Sequence, residues 1–513
     1  MDKPEPIILK RTTERPAARP SVAAFTDVAT VDKHLVGGIA WTAAAKWSNQ
    51  ILSWAFMLIV ARLLSPSDFG LVGIAAIYFD LATNFSEFGL GSAIVTLRDL
   101  SGEQVRGLNT FSLLASLVGF VFSCGAAIPL GVFFRSPQLP PVVVAMSASF
   151  LISGFQTVPK ALLQKKFQFR LLSIIDAVQA LAQTLAVLVL ALRGFGHWAL
   201  VIGILVAAMT RTVCLLAWCH PGFARPRFGA IKRAVTFSWH VVVSRMAWTT
   251  YTDADFIVAG RVLGTASLGA YTFAWNLANA PVDKISSVVT GVTPAFFSAV
   301  QTDHAALRRY LRTLTEGLSM ITIPTTLGLA LVASEFVPLA LGRKWEGVVV
   351  PLQILACYAS FRSITTLLGQ VLTALGETRF VMWNTLAAFV LLPTAFVIGS
   401  RWGAAGIAWG WIVGYPLVAL PLYRRTFREI NMRVSEYFGA VRPSLDGSLA
   451  MAAFVLLLKW ALPSTWPLLF RFGLEVLTGA VTYCILMLAF HRDRVLAFWY
   501  LIQKKGIPSP LIE

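Results

Sequence analysis

Apolar runs of about twenty residues, separated by short polar connections, follow one another from residue 36 to residue 490. Each run is long enough to cross ~30 Å of hydrocarbon as a helix. Their pattern predicts fourteen spans, at 36–60, 69–96, 107–133, 139–159, 171–192, 196–219, 234–258, 266–296, 314–341, 347–375, 380–400, 403–423, 446–462 and 467–490. Inside a bilayer every backbone N–H and C=O needs an internal partner, so only helices or closed barrels cross. These runs are too long and too continuously apolar for barrel strands. The predicted fold class is an all-α polytopic membrane protein. The first 34 residues are rich in proline and charge and lack the apolar centre of a signal peptide, so they read as a disordered cytoplasmic tail. Residues 496–513 read as a second cytoplasmic tail.

Within this pattern one corner is written twice. ARLLSPSDFGLVGI, Ala61–Ile74, returns 199 residues later as GRVLGTASLGAYTF, Gly260–Phe273. At that offset Gly70 meets Gly269, Arg62 meets Arg261, Lys46 meets Arg245, Asp80 meets Asn279 and Asn84 meets Asp283. A later echo pairs GFGHWALVIG, 194–203, with RWGAAGIAWG, 401–410, at an offset of 207. In the first corner Ser65 suits a helix cap, Pro66 the first helical position and Asp68 the positive end of the helix dipole. The second copy has Thr265 for the proline and no acid. The repeat predicts two six-span lobes, 35–230 and 231–427, with spans 13 and 14 (428–495) outside it. Six is even, so both lobes enter from the same face and the repeat is parallel, enclosing a central cavity.

The chain carries 43 Lys and Arg against 25 Asp and Glu, a net +18. Only 13% of its residues are charged and 57% are hydrophobic, which excludes an ordinary soluble domain. The position of the charges also excludes nucleic acid as their reason. Counted over alternate connections, 29 Lys and Arg fall on the side of the N-terminal tail and 8 on the other. That is the positive-inside asymmetry, and it places both termini in the cytoplasm. The remaining attraction is for anionic lipid headgroups. The five cysteines, Cys124, Cys214, Cys219, Cys357 and Cys484, all lie in predicted spans without a CxxC and read as packing residues. The six histidines have no ligand spacing, and no connection is long enough to fold around an enzyme motif. The sequence therefore predicts no catalytic residue, no metal and no cofactor.

Polar residues inside the spans carry the candidate chemistry, because an intramembrane charge needs a partner or a wet cavity. Helical spacing gathers Thr42, Lys46, Asn49, Gln50 and Ser53 on one face of span 1, and Ser238, Arg245, Thr249, Thr252 and Asp253 on one face of span 7. Span 2 gathers Asp80, Asn84 and Glu87, and span 8 gathers Asn276, Asn279, Asp283 and Ser287. Span 10 carries Tyr358, Arg362, Thr365, Thr366 and Gln370, and span 5 carries Asp176, Gln179 and Gln183. These stripes predict an anion-attracting cavity with Lys46, Arg245 and Arg362 as its cations. Asn49, Gln50, Thr249, Lys284 and Asn279 complete the candidate binding set. In the competing reading each cation neutralises a nearby acid: Lys46 with Asp80 or Glu87, Arg245 with Asp253, and Lys284 with the adjacent Asp283, where Pro281 breaks the helix. Arg211, near the cytoplasmic end of span 6, is expected to snorkel. Asp80, Glu87, Asp253 and Asp176 are candidate carriers of a coupling H+ or Na+, with Asp255 and Glu316 as further carboxylates in the same class. Tyr271, Trp275 and the neighbouring aromatics read as packing or interface residues. Gly406, Gly410 and Gly414 in span 12 read as a close-packing ridge.

The opening two spans, IVARLLSPSDFGLVGIAAIYFDLATNFSEFGLGSAIV, Ile59–Val95, together with the 6+6+2 layout, resemble the polysaccharide transporter branch of the multidrug/oligosaccharidyl-lipid/polysaccharide exporter superfamily. The resemblance implies a flippase of the bacterial inner membrane. Its substrate would be an oligosaccharide on undecaprenyl diphosphate, moved to the periplasmic leaflet for exopolysaccharide or lipopolysaccharide synthesis, in company with a polymerase or assembly machinery. In such proteins cavity cations receive the diphosphate and sugar acids, a role that Lys46, Arg245 and Arg362 suit here. Spans 13 and 14 would shape a groove for the polyprenyl tail. Two alternatives stand beside it: an ion-coupled drug or cation antiporter of the same superfamily, and a membrane-embedded polysaccharide polymerase. The two extra spans and the cations at 46 and 245 oppose the first, and the short periplasmic connections oppose the second.

Overall fold

The computed structural model describes residues 56–86, 91, 94–95, 100–166, 168–225, 252–290, 293, 297–298, 300–463 and 465–494. Helices account for the regular structure of these residues, and no strand occurs among them. Besides a short helix at Thr157–Lys165 and two 3₁₀ turns at Arg343–Val348 and Ser400–Trp402, they are α1 (Phe56–Leu63), α2 (Pro66–Ser86), α3 (Gly102–Phe133), α4 (Leu139–Gly154), α5 (Phe169–Leu192), α6 (His197–Trp218), α7 (Ala254–Leu263), α8 (Thr265–Thr290), α9 (His304–Ala340), α10 (Val349–Ala374), α11 (Thr378–Gly399), α12 (Gly403–Glu429), α13 (Val434–Ala461) and α14 (Leu468–Phe490). Each overlaps one predicted span, though α7 shares only residues 254–258 with span 7, and span 4 is broken after Gly154, where the chain bends 42° into the short helix at Thr157–Lys165. Of spans 1 and 7 only the ends are described, so Lys46, Asn49, Gln50, Arg245 and Thr249 lie outside the described residues. The protein is an all-α polytopic membrane protein.

Three boundaries differ from the sequence reading. Helix α8 runs unbroken through Pro281, because a membrane helix re-satisfies the carbonyl that a proline frees through neighbouring groups. Helix α9 starts at His304 rather than residue 314, since Asp303 caps it: the Asp303 Oδ1 accepts from the N–H of Ala305 at 2.9 Å and of Ala306 at 3.0 Å. Helix α13 starts at Val434 rather than 446, and its first turns are polar, with an Arg442–Asp446 pair at 3.3 Å one turn apart. Hydropathy marks where a helix enters the hydrocarbon and says nothing of polar turns that project beyond it.

Contacts divide the chain into one compact unit of residues 1–64, 79–129 and 140–246 and another of 65–78, 130–139 and 247–513. In the first, α5 packs on α6 at Gly203, where a Cβ would lie 2.2 Å from Val187 Cγ2. Ser147 donates to Ser123 at 2.7 Å between α4 and α3. The Gln156 amide donates to the Ala208 carbonyl at 2.9 Å and to Thr212 Oγ1 at 2.8 Å. Such small polar contacts are the usual glue between helices where no hydrophobic drive exists.

In the second unit the glycine ridge of α12 seats against α11 as the spacing predicts. A Cβ on Gly406 would stand 2.0 Å from the Gly399 carbonyl oxygen, and one on Gly410 would stand 2.7 Å from Phe396. The C-terminal pair α13–α14 is riveted to α9 by buried charge. Lys459 Nζ donates to the Leu331 carbonyl at 2.6 Å and to Glu335 at 2.5 Å, and it lies 3.4 Å from Glu475. Arg471 stands 3.6 Å from the other Glu335 oxygen. At the opposite end of α9, Arg494 binds Glu316 at 2.9 Å, and Tyr483 donates to the Met320 carbonyl at 2.8 Å.

The repeated corner is built by two different means. In the first copy Ser65 and Asp68 form a reciprocal cap: Asp68 Oδ2 accepts from the Ser65 N–H at 2.9 Å, and Ser65 Oγ accepts from the Asp68 N–H at 3.3 Å. In the second copy Gly264, at φ +80°, turns the chain in the left-handed region that a side chain disfavours. Both then start a helix that crosses its own symmetry mate. A Cβ on Gly70 would fall 1.7 Å from the Thr265 oxygen, and one on Gly269 would fall 1.8 Å from the Pro66 oxygen. The 199-residue offset carries each of these contacts into the other. One turn on, Gly73 faces Thr272, again its own mate, at an ordinary 3.8 Å. Phe69 seals the crossing by edge-on packing against Phe273 at 5.6 Å and Trp345 at 5.4 Å.

Two stability tests follow from these contacts. G70A and G269A each force helix backbones apart and are expected to destabilise the purified protein by about 1–3 kcal/mol, the usual cost of overpacking, whereas G73A leaves the melting temperature nearly unchanged. K459M strands Glu335 and Glu475 in the interior and is expected to cost about 3–5 kcal/mol; K459M with E335Q and E475Q recovers most of that loss in the same melt.

Candidate functional site

Helices α8 and α10 pack side by side, and each carries an open polar stripe. On α8 the exposed side chains are Asn276, Asp283, Lys284 and Ser287, with Ala266 near its start; on α10 Thr366 and Thr373 are exposed with Arg362 half-buried among them, and Val350 and Cys357 are exposed on the other side of that helix. Spacings of three and four residues align them along the two helices. Among the described residues of both helices Val350 is the one large hydrophobic side chain that is exposed. Helix α3 is the contrast, since its exposed side includes Leu114, Leu117, Val118, Val121, Phe122, Ile128 and Val132. That side suits acyl chains. A stripe of amide, carboxylate, ammonium and hydroxyl groups does not, because each charge costs about 2.5–3.5 kcal/mol at the bilayer centre.

An ion pair bridges the two stripes. Arg362 Nη2 donates to Asp283 Oδ1. The carboxylate side chain is 58% exposed and the guanidinium 26%. Only one terminal nitrogen makes the contact, and the Arg362 Nε is buried without a hydrogen-bond partner. This corrects the expectation that Lys284 takes Asp283: α8 continues straight through Pro281, so adjacent positions 283 and 284 point about 100° apart, and Arg362 reaches the acid from the neighbouring helix. Thr366 donates back to the Arg362 carbonyl at 2.9 Å and holds the turn.

The other predicted residues are placed as follows. Asn279 is 2% exposed, turned away from the open stripe, and its amide donates to the Trp275 carbonyl at 3.1 Å. Asp176 on α5 pairs with Arg211 of α6 at 3.1 Å, so Arg211 finds an acid within its own hairpin instead of snorkelling. Asp253 occupies the N-cap position of α7. Asp80 lies on α2, and Glu87 lies outside the described residues.

The partners of Asp255 were not legible from spacing. This carboxylate is fully buried and accepts from the Tyr271 hydroxyl at 2.7 Å, the Trp411 indole N–H at 2.9 Å and the Phe256 N–H at 2.9 Å. Trp411 sits in a packed aromatic group with Trp275 at 5.2 Å and Tyr358 at 4.7 Å, and Tyr358 meets Tyr415 at 5.2 Å. Tyr271 and Trp275 thus pack, as their spacing suggested. The available signal was chemical: a buried Tyr hydroxyl and Trp N–H each need an acceptor, and Asp255 is an unpaired acid sixteen residues before Tyr271.

Comparison with known proteins gives a consistent result. Residues 59–370 match the family model described as "Polysaccharide biosynthesis protein". The chain is 24% identical to the lipopolysaccharide biosynthesis protein WzxC of Escherichia coli over 81% of its own length and 87% of that protein's. It is 25% identical to the succinoglycan biosynthesis transport protein ExoT of Rhizobium meliloti over 74% and 77% of the two chains. Among solved structures it superposes on the lipid II flippase MurJ, in an inward closed conformation, with a TM-score of 0.70 at 15% identity, covering 89% of this chain and all of that one.

Exposure of the α8–α10 stripe to water is directly measurable. In an otherwise cysteine-free background, S287C and T366C are expected to react with a water-soluble thiol reagent in intact membranes, and V118C on the apolar side of α3 is expected to stay silent. Labelling of V118C alone would reverse the assignment of wet and lipid-facing surfaces.

Proposed function

Because the chain belongs to the family of polysaccharide biosynthesis proteins, we propose that it is a flippase for an oligosaccharide repeat unit carried on a polyprenyl diphosphate, of the undecaprenyl type, in the bacterial inner membrane. The observation that carries this reading is Arg362, a cation at mid-span on a polar stripe where exposed hydrophobic side chains are almost absent. A diphosphate cannot enter hydrocarbon bare, and a guanidinium in a wet cavity offers it paired N–H donors. Lys46 and Arg245 supply the remaining cations, and Asn49, Gln50, Thr249 and Lys284 supply polar contacts for the sugar. Asn279 takes part by holding the α8 backbone at Trp275. The polyprenyl tail stays in lipid, along a groove shaped by α13 and α14.

Transport proceeds by alternating access around the repeat axis, with both termini in the cytoplasm. No step requires a bond in the substrate to break, so the protein acts as a transporter and not as an enzyme. A coupling H+ or Na+ enters through Asp80, Glu87 or Asp253. Asp176 is a weaker carrier than the other three, since Arg211 neutralises it. A polymerase or assembly complex receives the unit on the far side. WzxC and ExoT, named for lipopolysaccharide and succinoglycan biosynthesis, support this class of cargo.

In cells depending on this protein, R362A is expected to lower polymer export about tenfold, equivalent to one lost charge-assisted hydrogen bond, at unchanged protein abundance. Complete lipid-linked units would accumulate on the cytoplasmic leaflet. Single units displayed outside the cell would instead assign the protein to polymerisation.

A further inference from the structure

We propose that Asp283 is a built-in competitor for the substrate's oxyanion at Arg362: it occupies the guanidinium while the cavity is unloaded and is displaced when an acidic group of the cargo arrives. This inference rests on the flippase reading and specifies what that reading leaves open, namely how an intramembrane cation is kept in place and made selective before cargo binds.

Two ion pairs among the described residues stand in contrast. The Lys459–Glu335 pair is dry, its partners 17% and 8% exposed, and Lys459 has two further acceptors in Leu331 and Ser334. The Arg362–Asp283 pair has the opposite design. Its acid is more exposed than its base, it closes through one nitrogen and one oxygen, and it leaves the guanidinium Nε buried without an acceptor. Arg211–Asp176 shares its exposure and single contact but stands among the exposed Ile174, Val178 and Leu181 instead of on a polar stripe. A guanidinium fork is complementary to two oxygens presented in one plane, as phosphate and carboxylate present them. A single-point, water-exposed ion pair contributes little, so a doubly bonded oxyanion replaces it readily. Lys284, exposed beside Asp283 on α8, adds attraction for the newcomer. The retained carboxylate then repels weakly bound anions such as chloride, which cannot offer the guanidinium two oxygens in one plane. The shared chemistry of the ligand is an oxyanion, and two parts of a lipid-linked sugar supply it: the diphosphate and a uronic acid carboxylate.

The test uses the purified full-length protein in detergent, with inorganic pyrophosphate as the probe for the first source and glucuronate as the probe for the second, both titrated calorimetrically. D283N removes the competitor and is expected to bind pyrophosphate about tenfold more tightly than the wild type, and R362Q is expected to lose that binding. If glucuronate gains the tenfold and pyrophosphate does not, the competitor role stands and the group received is the sugar acid. Unchanged or weaker binding of both probes by D283N, with R362Q still defective, overturns the competitor role and leaves the anion site intact. Wild-type affinity in R362Q overturns the anion site itself. D283S serves if the amide variant does not fold, and the charge swap D283R with R362D, which keeps an ion pair in place, reports whether the fold needs the pair; the swap is expected to melt as the wild type does and to bind neither probe.

Discussion

The cost of placing a polar group in hydrocarbon governs this structure. Every backbone amide crossing the bilayer closes on its own helix, so the chain has no architectural freedom beyond how its helices meet. Side chains obey the same rule with more variety. Hydroxyls bond back to carbonyls one turn earlier, as Thr322, Thr365, Thr385 and Thr394 do. Acids find bases on neighbouring helices, as at Asp176–Arg211 and Glu316–Arg494. The exposed surface is mostly apolar along the middle of α3 and mostly polar along the stripe shared by α8 and α10, where the same two devices tie Asp283 to Arg362 and Thr366 to its own helix. The proposed anion site falls on that polar stripe, where the described side chains escape the bilayer's penalty.

The repeat explains how such a place is made without a large connecting domain. Two copies of one corner cross at their own equivalent glycines, Gly70 and Gly269, with backbone against backbone. A contact that maps onto itself under the repeat is an isologous contact inside a single chain, with the geometric economy of a two-fold dimer. Only glycine permits that closeness, which is why the otherwise weak sequence match between the halves keeps it in both copies. The caps around it are free to diverge, and they do: a serine–aspartate cap serves one corner and a left-handed glycine the other. The shared requirement is that the helix starts at that point, and two unrelated local chemistries satisfy it.

What was legible in the sequence follows from this. Span positions were readable because about twenty apolar residues in a row have one physical interpretation. The corner was readable because glycine and capping residues sit at fixed offsets in both copies. The stripe of α8 was readable from its 3.6-residue period, apart from Asn279, which lies at the stripe's edge and turns inward. Partnership across helices was not readable. Nothing in the order of residues says that Asp283 meets Arg362 and not Lys284, that Arg211 meets Asp176, or that Trp411 donates to an acid 156 residues earlier. Those pairings depend on which helices are neighbours and on their rotation, and both are set by packing summed over many apolar contacts. The extra polar turns of α9 and α13 were invisible to hydropathy for a related reason, since a helix leaving the membrane keeps its hydrogen bonds while its side chains change character.

The distribution of ion pairs carries the argument one step further. The C-terminal pair α13–α14 lies outside the repeat, yet it is joined to α9 by charge at both ends of that helix, through Lys459 and Arg471 at one end and Arg494 at the other. Breaking a buried pair leaves an uncompensated ion in a low-dielectric interior, which costs far more than opening a pair that water can reach. Opening the Lys459 network with Glu335 and Glu475 is therefore costlier than opening Arg362–Asp283, whose acid is 58% exposed. On the flippase reading proposed above, the first suits a fixed wall for a lipid tail that stays in the bilayer, and the second suits a headgroup cation whose bond opens at small cost. The two pairs use the same chemistry, a carboxylate and a base, and differ in how much water reaches the acid.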